Sequence, residues 1–483
     1  MGNNVNNQRS CVAILLPIVV TLVGTVVLTS ESALGMTIKQ DIILRSQRNL
    51  KKNEGPQLLP TTYANRKNDK EIFAKWKSYV GRWVARDESG EEIISVVLTP
   101  RLPRPGKDAS HGTLAGFIPE GQYEGVLLFE SLADETNRDK EVFIEGDLYK
   151  ADKNLTRSEA KLLFTPARQK PGNELRKKRL TLHIKEKGIQ TEYSLDWVND
   201  IDDAALSTVC IIAHRGLGFA GLDNTLKALR HAWIFGASGI EFDVTVPYTS
   251  NDEQSRFPLT NRLVVYHPPL LNQTSDIDRI PETFSPAKYV FGELENYWVP
   301  LVYVDPKVKW LSTDSLEAAL KNIIGFANEA LRRTSSLMIT IGAPDDITAK
   351  FLSGIEHSIS SPYFSAAQLS WTLEWTEVNK AADIFARANK PPSTLSFNLT
   401  EIRGSIKWPL MEWLFKDIRK EEEKEISKNS QVLIFWTAND NDHFRGSVNA
   451  AKHLKRIGNP DKPGETGIMT DYPHRLAYWL ATF

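Results

Sequence analysis

Three carboxylates, two imidazoles and two cations stand at the ends of short apolar runs in this chain. His214-Arg215-Gly216 closes one run, and Glu241 and Asp243 close the next; His267 ends a third (Leu263-Val264-Val265-Tyr266), and Asp305 with Lys307 ends a fourth. Residues two apart on a strand share a face, so Glu241 and Asp243 repel one another unless a cation sits between them. Oxygen ligands suit Mg²⁺ or Ca²⁺, and Asp305 from another strand end completes a three-carboxylate shell. An acidic pair on a strand is more often a surface feature. Here Glu241 lies between Ile240 and Phe242, in a segment that calls for burial, where unpaired carboxylates are costly. Imidazole takes or gives a proton near neutrality, so His214 and His267 can serve as base and acid. Arg215 and Lys307 can clamp phosphate oxygens, or act as simple ion-pair partners. Together these groups suit metal-assisted cleavage of a phosphodiester at the C-terminal rim of a β/α barrel.

Such a rim needs parallel strands. From residue 207 the pattern alternates fully apolar runs with amphipathic segments, with candidate strands at 209–213, 239–244, 263–267, 301–305, 337–341, 394–399, 432–437 and 467–470. Residues 368–375 read as a ninth strand or a displaced sixth. Helices are expected at 224–235, at 315–333 with Leu316, Leu320, Ile323, Ile324 and Ala327 on one face, and at 377–388; the Lys/Glu-rich run 416–428 reads as a solvated helix face. Apolar strands alternating with helices argue for a covered parallel sheet. The expected fold class is α/β, a TIM-type (β/α)8 barrel over 205–483 preceded by a small all-β domain over 71–200.

That first domain is read from short alternating runs such as 92–98, 141–145 and 179–184, separated by turn residues. It holds no cluster of metal-ligating residues. Gly81-Arg82-Trp83 resembles the first strand of lipocalin-like barrels, a match too short to assign a fold. Ahead of it, residues 11–29 are uncharged and rich in Val, Leu and Ile, with Arg9 before and Glu31 after. Residues 1–35 therefore read as a signal peptide, with small residues Ala33 and Gly35 before Met36, or as a retained membrane anchor. Either sends the chain out of the cytoplasm. Residues 36–70 read as a polar linker. The 59 basic and 60 acidic residues nearly cancel, which leaves no global field to recruit nucleic acid. Two cysteines, Cys11 and Cys210, exclude a disulfide framework.

The motifs also resemble those of a known family. His214-Arg215-Gly216, Asp223-Asn224-Thr225, Gly236-Ala237 and Ile240-Glu241-Phe242-Asp243-Val244 resemble, in order and spacing, the glycerophosphodiester phosphodiesterase signature of His-Arg-Gly, Glu-Asn-Thr and Gly-Ala…Ile-Glu-x-Asp. Val265-Tyr266-His267 stands where that family has its second catalytic histidine. Trp436-Thr437-Ala438-Asn439 looks like its Trp-Thr-Val-Asn strand, which places Trp436 among substrate-binding residues, and 467–473 looks like its closing Gly-Ile-x-Thr-Asp-x-Pro. The resemblance covers about 209–480. It implies a TIM barrel of the phospholipase C-like phosphodiesterase superfamily, a divalent metal, two catalytic histidines, and hydrolysis of glycerophosphodiesters to glycerol 3-phosphate and an alcohol. The partner it implies is a glycerophosphodiester or lysophospholipid headgroup.

This chain departs from the pattern in several places. Asp223 replaces the usual Glu, Leu222 the preceding Pro, and Pro268 the Asp after the second histidine. The family's Glu-x-Lys strand has two candidates, Asp305-Pro306-Lys307 and 337–342, the second without a carboxylate until Asp345; Asp305 keeps both acid and lysine. An Asp-x-Lys strand is similar to that of sphingomyelinase D-type phospholipases, which often form a cyclic phosphate, so that activity is the alternative. A third reading is a non-catalytic barrel used as a binding module. The polar insertion 247–261 should sit on the catalytic face and shape substrate access.

Overall fold

The computed structural model describes residues 59–103, 112–130, 142–165, 179–246, 263–267, 285–308, 311–334, 337–357, 369–375, 394–398, 432–448 and 465–482. The apolar segment at 11–29, the linker up to 58, the insertion 247–261, Pro268 and the expected helices at 377–388 and 416–428 lie outside the described residues. Among the described residues no helix is long and apolar enough to cross a membrane.

After a short helix α1 (Lys70–Trp76), eight strands follow in sequence: β1 (Gly81–Arg86), β2 (Glu92–Arg101), β3 (Thr113–Ile118), β4 (Gly125–Phe129), β5 (Val142–Lys150), β6 (Arg157–Thr165), β7 (Arg179–Glu186) and β8 (Ile189–Asn199). Each pairs antiparallel with the next, and β1 pairs with β8, so they close into a barrel with no free edge. Period-two alternation builds its wall. In β7, Leu180, Leu182 and Ile184 are buried while Arg179 and Lys185 are exposed. Lys187 and Gly188 join β7 to β8 with φ of 52° and 82°, the left-handed pair of a two-residue hairpin whose twist suits the strands.

The remaining strands build a second, parallel sheet. They are β9 (Val209–Ala213), β10 (Gly239–Thr245), β12 (Leu301–Pro306), β13 (Met338–Ala343), β14 (Leu369–Trp375), β15 (Thr394–Asn398), β16 (Val432–Trp436) and β17 (Glu465–Thr470), with a two-residue β11 (Val264–Val265) at one end. The parallel neighbours run β10, β12, β13, β14, β15, β16, β17, β9, and β9 also pairs parallel with β10. Every residue of β9, β10 and β12 is buried, as strands covered on both sides require. The covering helices include α2 (Asp203–Thr208), α3 (Leu226–His231), α4 (Ala287–Gly292), α5 (Thr313–Arg333), α6 (Asp346–His357) and α7 (Pro473–Thr482). In α5, Leu316, Leu320, Ile323, Ile324 and Ala327 are buried on one face.

Two strand expectations change. The run 263–267 contributes only β11, which lies antiparallel on the end of β10 through Val244–Val265 and Thr245–Val264. Its place in the ring is taken by β14, the segment read as a ninth or displaced sixth strand, which pairs parallel with β13 and β15. Leu263 and Val265 are buried either way, and apolar periodicity does not distinguish a barrel strand from a short ribbon packed over one.

The antiparallel barrel and the parallel sheet belong to one compact unit. Leu59 packs with Cys210, Leu301 and Ile434 in a cluster inside the parallel sheet. Arg101 of β2 is fully buried between the barrels: it donates to Trp233 O, to Ala237 O at 3.2 Å and to Thr62 Oγ1 at 2.7 Å, with its guanidinium 4.1 Å from the Trp233 ring centroid. Such a charge is tolerated in the interior only because hydrogen bonds and an aromatic face surround it.

Candidate active site

The end of β9 sets the first part of the site. Beyond Ala213 the chain turns through Arg215 (φ 53°) and Gly216 (φ 83°), which aims the Arg215 amide at Glu241 Oε2, 2.7 Å away. The Gly216 amide donates to the Glu241 carbonyl at 3.1 Å. A Cβ at residue 216 would lie 2.9 Å from the Ala228 backbone, so this turn needs its glycine. His-Arg-Gly is therefore a backbone device that holds the first carboxylate as well as a source of the imidazole.

Asn224 (φ 61°) holds the second. Its Oδ1 accepts from the Asp243 amide at 3.0 Å and its Nδ2 donates to Asp243 Oδ2 at 2.9 Å. Asp305 joins from β12, whose register places it directly beside Asp243. Oxygens of Glu241, Asp243 and Asp305 lie within 4.8 Å of one another, and all three residues are buried. Burial, with the neighbouring carboxylates, raises the pKa of Glu241 well above the usual range. Burial and Asp243 raise Asp305 too, against the pull of Lys307. Asp305 Oδ1 is buried without a hydrogen-bond partner. An all-oxygen cluster with excess negative charge and an orphaned acceptor fits a hard divalent cation. Asp345, the other candidate, instead accepts the Ile347 and Thr348 amides at 3.0 and 2.9 Å at the start of α6, as a helix cap does.

Both cations are ion-paired. Lys307 contacts Asp305 and lies 3.8 Å from Asp243; burial disfavours its charge, but Asp305, Glu374 and Asp243 outweigh that and raise its pKa. Arg215 reaches Asp223 at 3.3 Å and Asp243 at 3.4 Å.

His214 Nδ1 faces Asp471 Oδ1 at 2.7 Å, and its Nε2 is 3.9 Å from Glu241 Oε2. Burial pushes the Asp471 carboxyl up, yet the bonds from His214 and Asn439 outweigh it and the group titrates below its usual range. An ionised Asp471 draws the proton to Nδ1 and leaves Nε2 for exchange. Asn439 also accepts the Asp471 amide at 2.9 Å through Oδ1. His267 follows β11 within the field of Asp243, Arg215, Lys307 and Asp305; burial is the main cause of its lowered pKa. Trp436 ends β16, packs against the cluster containing Tyr303 and Ile212, and has an indole nitrogen without a partner.

Four residues that sequence reasoning left without a role stand here. Asp471 and Asn439 lay inside quoted motifs, and Asn224 inside another, but their hydrogen bonds join segments far apart in sequence. Glu374 is the fourth: buried on β14, it accepts from the Tyr303 hydroxyl at 2.8 Å and its pKa is raised to about 8, by burial first and by Asp305 second. The alternation of Leu369, Trp371 and Leu373 with Ser370, Thr372 and Glu374 was the available signal.

No protein-family model and no curated protein matches the chain. Solved structures overlap somewhat more than half of it. A phosphodiesterase from Oleispira antarctica, solved with the product sn-glycerol-3-phosphate, is 15% identical and covers 57% of this chain and 98% of its own, with a TM-score of 0.35. A protein named as a glycerophosphoryl diester phosphodiesterase from Silicibacter pomeroyi is 16% identical over 56% of this chain and 93% of its own, TM-score 0.33. Another so named, from Agrobacterium tumefaciens, is 11% identical over 56% and 97%, TM-score 0.35. At these scores the overlaps assign neither family nor activity.

Proposed function

We propose that the parallel domain is a TIM-type (β/α)8 phosphodiesterase barrel that hydrolyses glycerophosphodiesters to glycerol 3-phosphate and an alcohol. The observation that carries this reading is the buried Glu241, Asp243 and Asp305 cluster beside the His214–Asp471 pair. These three carboxylates would hold Mg²⁺ or Ca²⁺, whose chemistry there is Lewis-acid polarisation of a phosphoryl oxygen. Lys307 and Arg215 bring positive charge to the same phosphate. His267, held below its ordinary pKa and so neutral, takes a proton from the attacking water as the new P–O bond forms. His214 gives a proton from Nε2 to the departing alkoxide as the old P–O bond breaks, its ring oriented by Asp471. Trp436 offers an apolar wall and an indole N–H to the alcohol moiety. The apolar segment at 11–29 would export the chain and, if retained, tie it to a membrane.

Phosphorus NMR of glycerophosphocholine with full-length protein tests this reading. Glycerol 3-phosphate formed only when Mg²⁺ or Ca²⁺ is present is the expected result. A cyclic phosphate would identify the sphingomyelinase D-like reaction instead. No turnover across a panel of glycerophosphodiesters and lysophospholipids would leave only the binding-module reading.

A further inference from the structure

Glu124 lies between β3 and β4 of the antiparallel barrel, yet its carboxylate bonds run to the parallel domain. Oε1 accepts from His474 Nε2 at 2.9 Å and from Arg475 Nε at 2.8 Å, and Oε2 accepts from Arg475 Nη2 at 3.0 Å. His474 is fully buried and its Nδ1 has no partner, so the ring donates from Nε2. Its edge meets the Phe219 ring, 5.2 Å between centroids, and Phe219 stacks on Tyr472 at 5.7 Å with 20° between planes. Arg475 covers Tyr472, with its guanidinium 4.4 Å from the ring centroid.

This cluster joins the two segments that carry the His214–Asp471 pair. Tyr472 follows Asp471 directly, and Phe219 sits on the turn Gly218–Ala220 that follows the His214 loop. The two segments approach so closely that a Cβ at Gly218 would lie 2.1 Å from Asp471 Oδ1. Docking of the barrels does not depend on this contact alone. Arg101 serves it elsewhere, and on α7 the Tyr478 hydroxyl meets Ser95 Oγ at 2.7 Å and Arg82 Nε at 3.1 Å.

We propose that Glu124 is a positioning residue for the phosphodiesterase site: through it the antiparallel barrel holds Tyr472, and with it the Asp471 carboxylate, in place against His214. The proposal rests on the reading of His214 as a proton-transfer group. It gives the accessory barrel a role in catalysis without any contact with substrate. Small displacements of an orienting group are expensive in rate, about a hundredfold for 1 Å.

The experiment compares full-length wild type, Glu124→Gln and Tyr478→Phe with Mg²⁺ present, by steady-state kinetics on glycerophosphocholine and by proton NMR of ¹⁵N-histidine-labelled protein. The downfield Nδ1 proton of His214 is identified by its disappearance in Asp471→Asn. Glu124→Gln should lower kcat by about tenfold to a hundredfold with KM within about twofold, and should broaden or abolish that resonance. Tyr478→Phe, which breaks inter-barrel bonds on the same helix, should leave both unchanged. Wild-type kcat and a sharp resonance in Glu124→Gln would overturn the proposal, as would an equal loss of kcat in Tyr478→Phe. If Glu124→Gln does not fold, Arg475→Gln keeps the His474 bond and should lose about tenfold; unchanged kcat and resonance there would also overturn it. If the wild type turns over no diester, the phosphodiesterase reading fails separately, and the resonance alone decides whether Glu124 positions the pair.

Discussion

The contribution of Glu374 to the stability of the metal-free protein should fall as pH rises, opposite to the trend of carboxylates held by ion pairs. Its pKa is raised from 4.5 to about 8, burial being the largest cause and the Asp305 charge the next, while Lys307 and the Tyr303 hydroxyl oppose them. A carboxyl raised in the folded state favours folding below its unfolded value and loses that contribution as pH climbs through the folded value. The window here runs from about 4.5 to about 8, where each pH unit counts roughly 1.4 kcal/mol, or roughly 5 kcal/mol in full. For a domain of this size that is about 10 °C in melting temperature. Glu374→Gln keeps an acceptor for Tyr303 and cannot ionise. In EDTA, thermal melts from pH 4 to 9 should show the two proteins alike at the acid end. Above pH 8 the variant should be more stable by several degrees. Parallel curves across the whole range would refute the reasoning, because they would mean that Glu374 meets solvent or a compensating charge in the folded protein.

Other outcomes follow from the same geometry. Asp471→Asn should lower kcat by about a hundredfold to ten-thousandfold with little change in KM, since an amide presents the wrong partner to His214 Nδ1; steady-state kinetics will check this. Asp305→Asn should abolish Mg²⁺ or Ca²⁺ binding in calorimetry. Asp345→Asn should keep it and cost about 1 kcal/mol or less of stability as a weakened helix cap, read by denaturant melts. Arg101→Met should destabilise the chain by about 3 kcal/mol, because Trp233 O, Ala237 O and Thr62 Oγ1 lose their donor inside the inter-barrel contact. A loss below about 0.5 kcal/mol would show that water reaches that contact.

Local chemistry made much of the site legible. An acidic pair two residues apart in an apolar strand reports its own facing and its need for a cation, and His-Arg-Gly reports an imidazole and a cation at a strand end. Both signals are complete within a few residues. The long apolar strands and the amphipathic stripe of α5 were readable for the same reason: burial imposes its period on contiguous sequence. The ring position of β14 was not, because β11 and β14 carry similar apolar runs and only pairing partners tell them apart. Glu374 had no role in that reading, because Tyr303 and Asp305, which define its surroundings, lie on another strand.

What the sequence determined alone, then, is the inventory: which strands are buried, which polar residues interrupt them, and that three carboxylates require a positive partner. The tertiary structure decided the assignments. Asp305 falls beside Asp243 only through the β10–β12 register, and Asp471 reaches His214 across 257 residues of chain. Glu124 is tied to the same corner from a different barrel. Hydrogen bonds between distant segments leave no periodic trace in a sequence, since each partner satisfies its own local rules and the match exists only once the chain has folded.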